Sequence, residues 1–229
     1  MSWFTKFLTS SIGRKLLMSL TGLFLIIFLL VHLIGNLQLL IDDGGEKFNL
    51  YAKLMTSNPI IKTVSYGLYF FILLHTVQGI ILMLNNRRAR SSRYAVYAAV
   101  AKSPSPTASK YMGPLGIVIL IFILIHMWQF WFQMKIGALD MVTYEGHEAV
   151  KDLYTPVAYA FTQWWYVVFY VISMVVVAFH LSHGFQSAFQ TLGINHRKYS
   201  PWIKNIGIVY SILIPLGFAL IPVYFFLFK

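Results

Sequence analysis

The chain has 229 residues, 58% of them hydrophobic and only 11% charged, whereas about a quarter of the residues in a soluble domain carry charge. The net charge of +11 sits in short segments between apolar runs, a distribution that membrane topology explains without nucleic acid. There is no cysteine, which excludes disulfides and thiolate-held metal clusters.

Lys6, Arg14 and Lys15 precede the first apolar run, 15–40. That run continues for about 25 residues with no small-residue cleavage site at its end, so it reads as a retained helix and not a leader. An acidic connection with Asp42, Asp43 and Glu46 leads to a second run, 59–84. The next connection carries Arg87, Arg88, Arg90, Arg93, Lys102 and Lys110 around Ser103-Pro104-Ser105-Pro106 and reads as a basic, irregular loop. A third run spans 113–133. The polar stretch after it holds Asp140, Glu145, Glu148 and Asp152, with room for a short helix or hairpin. A fourth run, 159–189, is followed by Arg197, Lys198 and Lys204 and by a fifth run, 206–228. Each run reaches the roughly 20 apolar residues that cross a hydrocarbon core. The expected fold class is all-α, a single transmembrane domain over 1–229 built as a five-helix bundle.

The charges orient this bundle. The N-terminal segment and the second and fourth connections hold twelve basic residues and no acid, while all seven acids fall in the other two connections. Basic loops stay cytoplasmic, which puts the N-terminus inside and the C-terminus outside.

Five histidines lie within the apolar runs: His32, His75, His126, His180 and His183. An ionisable side chain at membrane depth is costly and marks function by default, although a lone one can simply bond a neighbouring helix. Their depths are more telling. His32 and His126 lie beyond the midpoints of outward-running helices, and His75 and His180 beyond those of inward-running ones. They therefore sort into two pairs, separated vertically on the order of 10 Å from the helical rise. Two facing pairs of neutral imidazoles are what two bis-histidine haems require. With no cysteine to anchor them, the haems would be noncovalent. Gly79 and Gly184 follow His75 and His180 by one turn, and Gly35 and Asn36 stand near His32, leaving space for a flat ring. In the fourth helix, His180 is preferred as ligand over His183, because Ser173, Val177, Gly184 and Ser187 share its face.

At these residues the chain resembles the two-haem, five-helix cytochrome b subunit of succinate dehydrogenases and fumarate reductases. The resemblance covers nearly the whole chain. It rests on His32-Leu-Ile-Gly-Asn-Leu with the following Phe48-Asn-Leu-Tyr-Ala, on His180-Leu-Ser-His-Gly184, and on Gly193-Ile194. It implies a membrane anchor in the bacterial cytoplasmic membrane, acting as the quinone-reactive subunit of succinate:quinone oxidoreductase. Such a subunit has no dicarboxylate site of its own. A flavoprotein and an iron–sulfur subunit would dock on the cytoplasmic face. His32 and His126 would hold the distal haem b and His75 and His180 the proximal one, with electrons passing to a quinone, menaquinone the expected species. Arg14, Ser19, His183 and Lys198 are candidates for contacts to the haem periphery. Asp42, Asp43, Glu46, Gln129 and Gln133 are candidates for a quinone site near the distal haem. The chain departs from the family in its long 135–158 connection, in His183 where asparagine is more usual, and in having no acid after Asp152, so the direction of catalysis stays open. A hydrogenase or formate dehydrogenase cytochrome b is a second redox reading. A proton-coupled transporter using a histidine relay is the alternative from another class.

Overall fold

The computed structural model describes residues 2–88 and 105–229; Arg90, Arg93, Lys102, Ser103 and Pro104 lie outside it, as does the side chain of Lys110. Among the described residues, five helical spans are long and apolar enough to cross a membrane: Ser11–Leu40, Pro59–Arg88, Tyr111–Ile136, Trp164–Thr191 and Ser200–Phe228. The protein is a multi-pass, all-α membrane protein.

A short helix, α1 (Trp3–Thr9), turns at Ser10 into the first spanning helix, α2 (Ser11–Asn36). The Ser10 hydroxyl oxygen accepts from the Gly13 N–H at 3.0 Å, closing one of the orphan donors of the new helix. This cap starts α2 ahead of the charges Arg14 and Lys15. A 3₁₀ turn, Leu37–Leu40, ends the span. The amphipathic helix α3 (Glu46–Ser57) was not anticipated, because its apolar residues are too few for the pattern of a span. Gly45, at φ +88°, precedes it in a left-handed conformation, and a side chain there would collide with the Tyr154 ring.

Helix α4 (Pro59–Arg88) follows, and then α5 (Ser105–His126), so Ser105 and Pro106 already belong to a helix and not to the irregular loop. Proline fits there because the first turn has no partner for its N–H. A π-helical turn, Met127–Phe132, continues α5 into α6 (Gln133–Ile136). The connection beyond holds an antiparallel hairpin, β1 (Met141–Val142) with β2 (Val150–Lys151), then α7 (Tyr154–Thr162). Extended backbone at Gln163 separates α7 from α8 (Trp164–Thr191). The fourth span therefore starts at Trp164 and not at residue 159. Helix α9 (Ser200–Phe228) closes the chain.

Helix α8 packs against α9, α5 and α2. Small residues permit close approach: a side chain at Gly207 would strike Phe185 and one at Gly217 would strike Leu33. The densest core lies at one end, where Leu39, Phe48, Phe161, Tyr170 and Phe225 are buried together. None of the residues of helix α4 is buried by the rest of the chain, nor is any described residue of α5 over 111–126, because the inward faces of both helices line a cavity.

The acids gather at that same, densely packed end. Asp43 accepts from the N–H groups of Gly45 and Lys47 and so caps α3. Lys53 pairs with Glu148, Lys229 with Asp42, and Asn49 bonds Asp152. Lys229 holds the exposed Asp42 carboxyl below its ordinary range.

Candidate functional site: two histidine pairs in one cavity

Helices α2, α4, α5 and α8 line a continuous, partly open cavity of about 1770 Å³. Interiors are normally close-packed with few voids larger than a water, and a single-ligand pocket is roughly 300–1,000 Å³. All four helices direct a histidine into it: His32, His75, His126 and His180, with His183 beside the last.

The rings meet in twos. His32 and His126 have centroids 6.0 Å apart, and His75 and His180 have centroids 6.3 Å apart. An imidazole nitrogen binds a first-row metal at about 2.0–2.1 Å, and the ring centre lies about 1 Å behind it. Two imidazoles on opposite sides of one ion therefore have centres about 6 Å apart, which both pairs satisfy. Among the described residues no three or more metal-binding side chains gather at one point. Each pair offers two nitrogens, a number that fits the two axial positions of a haem iron and falls short of the four ligands of a tetrahedral zinc site.

The two pairs occupy different levels, and three helices measure the interval. On α2, Gly22 faces His75, with a built Cβ 3.4 Å from His75 Cε1; ten residues on comes His32. On α5, Gly116 faces His180 Cε1 at 3.9 Å, and His126 is ten residues on. On α8, Tyr170 bonds His126, and His180 is ten residues on. At about 1.5 Å per residue each helix gives about 15 Å. This interval is of the same order as the separation expected from the sequence.

Surrounding groups orient the rings. The Thr21 hydroxyl donates to the Leu17 carbonyl at 2.8 Å, so its oxygen is left to accept from His75 Nδ1 at 3.0 Å. That assignment leaves His75 Nε2 with a free lone pair. Tyr170 Oη lies 3.0 Å from His126 Nδ1. His32 stacks on Phe28 at 5.1 Å and packs against Phe218. The Asn36 amide spends its best bond, 2.8 Å, on the His32 carbonyl; its contacts to the ring nitrogens are 3.4 and 3.5 Å, too long to orient them. His180 Nδ1 is buried with no partner.

The other sequence-derived candidates divide. Gly35, Gly79 and Gly184 line the cavity, as do Ser19 and His183. At Gly79 and Gly184 an added Cβ would meet only a methionine methyl at 3.5 and 4.0 Å. Gly35 instead admits Tyr51, whose ring a Cβ would strike. Ser19 Oγ donates back to the Lys15 carbonyl at 2.9 Å. His183 also faces an outward groove with Tyr111, Pro114 and Phe179. Arg14 and Lys198 do not line the cavity; Lys198 lies over the Tyr199 ring, 5.9 Å from its centroid, after α8. Lys15 and Arg87 do line it. Asp42, Asp43 and Glu46 are engaged in surface pairs and the α3 cap, with Glu46 3.9 Å from His147. Gln129 and Gln133 also stand off the cavity, because the π-turn shifts the register after His126 and turns Met127, Phe130, Trp131 and Met134 inward. His196 is a local cap: its Nδ1 accepts from the Lys198 N–H. Sequence reading missed Thr21, Gly22, Gly116 and Tyr170. A threonine or glycine in an apolar run looks like ordinary packing, and only the partner across the bundle reveals more.

No protein-family model, curated protein or solved structure matches the chain.

Proposed function

We propose that this protein is a dihaem cytochrome b membrane subunit that carries electrons between an iron–sulfur partner and a membrane quinone, of the kind found in succinate dehydrogenases and fumarate reductases. The observation that carries the reading is the presence of two histidine pairs, at 6.0 and 6.3 Å, on one cavity and at two levels. Haem b would supply one-electron exchange at each level. His32 with His126 and His75 with His180 would be its axial ligands. Gly22, Gly79, Gly116 and Gly184 keep the cavity wall flat beside them. Lys15 and Arg87 offer cationic partners for carboxylates at one mouth of the cavity.

The segregated charges support the orientation. Acids meet at the end nearer His32 and His126, and the basic residues Lys15, Arg87 and Arg88 sit at the other. The basic end would face the cytoplasm and receive the iron–sulfur subunit with its flavoprotein. The quinone site belongs to the opposite mouth, where Lys62, Tyr69, Trp131 and Lys135 line the cavity in place of the acids and glutamines expected there.

The test is a pyridine haemochrome assay with a reduced-minus-oxidised spectrum of the purified chain. Two haems b per chain, extractable by acid acetone, are expected. A chain without haem would overturn the reading and favour the histidine-relay transporter.

A further inference from the structure

Each histidine pair is asymmetric, and in the same sense. In the pair nearer the basic end, His75 Nδ1 meets the Thr21 hydroxyl at 3.0 Å, while His180 Nδ1 is buried without a partner. In the other pair, His126 Nδ1 meets the Tyr170 hydroxyl at 3.0 Å, while the ring nitrogens of His32 have only the long Asn36 contacts. One imidazole of each pair meets a hydroxyl on a different helix, with the Met18 backbone also bonding His75, and its mate is held by packing.

These hydroxyls are not incidental solvent contacts. Thr21 is 2% exposed and Tyr170 6%. The partners come from elsewhere in the chain, across α2–α4 for Thr21 and across α5–α8 for Tyr170. The Thr21 proton is committed to the Leu17 carbonyl, which leaves its oxygen as acceptor. With iron on Nε2, a neutral imidazole carries its proton on Nδ1, so Tyr170 Oη must likewise accept.

We infer that Thr21 and Tyr170 are positioning residues, one for each haem, which fix the ring of a single axial ligand and set the potential of its iron separately. The inference rests on the dihaem reading above. An acceptor on Nδ1–H draws the proton outward, makes Nε2 more basic, and favours ferric over ferrous iron. Loss of that acceptor favours the ferrous state and raises the potential. Because the two levels lie about 15 Å apart by helical rise, each hydroxyl acts on its own haem.

The experiment is a redox titration of the purified holoprotein, following the two b-haem waves in wild type, Thr21→Val, Thr21→Ser and Tyr170→Phe. Val keeps the shape of Thr and removes the oxygen; Ser restores it. Thr21→Val should raise the potential of the His75–His180 haem by about 59 mV for one electron, which lowers its oxidised-to-reduced ratio at fixed potential about tenfold. The other wave should stay in place, and Thr21→Ser should return the first to near its original position. Tyr170→Phe should raise only the other wave. If Thr21→Val instead sheds its haem while Thr21→Ser keeps it, the positioning role stands. Unmoved waves in both Thr21→Val and Tyr170→Phe, or a shift in the wrong wave, would overturn the inference while leaving the dihaem reading intact. A wild-type chain with no b-haem wave would instead sink the reading on which it rests.

Discussion

Asn49 Nδ2 donates to Asp152 Oδ1 at 3.0 Å, tying the short helix after the first span to the segment that leads into the fourth. The same amide donates to Tyr144 Oη at 2.9 Å, and its oxygen accepts from the backbone N–H groups of Leu153 and Tyr154. At 1% exposure, Asn49 is among the most buried residues in the protein. It holds α3, the hairpin and α7 together over the acidic end of the cavity.

Asn49→Ala should therefore loosen this end. Two backbone donors, a carboxylate and a phenol lose their buried partner at once, and each unsatisfied group costs about 1–3 kcal/mol. Water entry recovers part of that, so a loss of roughly 2–4 kcal/mol is expected. The check is the thermal denaturation midpoint in detergent beside protease sensitivity of the 141–151 hairpin. A midpoint unchanged from wild type would show that Asn49 is not the tie.

Asp152 makes the same region sensitive to acid. Burial opposes ionisation of its carboxyl, but hydrogen bonds from Thr155, Asn49 and Tyr154 outweigh burial and hold it below its ordinary value of 3.8. A carboxyl with a depressed folded value contributes stability that is present above the unfolded value and lost as pH falls through the folded one. The hairpin and α7 should stay protected at pH 5 to 7 and open below about pH 4. Amide exchange at residues 153–155 reads this directly, and Asp152→Asn should flatten the profile.

Much of this architecture was legible in the sequence, for a physical reason. Spanning helices need long apolar runs, and an ionisable residue within one stands out, so the five spans and the positions of His32, His75, His126 and His180 could be read in one dimension. What escaped depends on backbone detail or on a partner across the bundle. The extended residue Gln163 cuts α7 from α8 within a run of continuous apolarity. The π-turn at Met127–Phe132 moves Gln129 and Gln133 off the face that α-helical spacing assigned to them. Thr21 resembles any threonine that bonds its own helix, which it also does; its second contact lies on α4. Depth was legible only to within a few residues, because charges blur where a helix begins.

The cavity wall offers a steric test independent of the ligands. A Cβ on Gly22 would sit 3.4 Å from His75 Cε1, already a tight contact, and one on Gly116 would approach His180. Gly22→Leu should drive a side chain into the His75 ring or the space beside it, a form of overpacking. The expected result is loss of the haem nearer the basic end with the other retained, seen as halved haem content. Gly67→Leu is the control, since nothing lies within 4 Å of a Cβ there. Equal haem in the Gly22 variant and wild type would place the macrocycle elsewhere.

The ligand pairs themselves make the sharpest prediction. Replacing an axial histidine by alanine removes one bond to iron and leaves a gap, so one haem should be lost or become high-spin. Because the rings of His75 and His180 face each other at 6.3 Å, either substitution should damage the same haem. His32→Ala and His126→Ala, from the pair at 6.0 Å, should damage the other. His183 borders the cavity but faces the outward groove as well. His183→Ala should therefore leave both haems six-coordinate, with at most a shifted potential. Redox titration resolves the two waves, and electron paramagnetic resonance reports spin state. If His183→Ala removes a haem that His180→Ala spares, the ligand from α8 is His183. If His32→Ala and His75→Ala abolish the same wave, the histidines do not act in the pairs that the geometry draws, and the separation of the site into two levels fails with them.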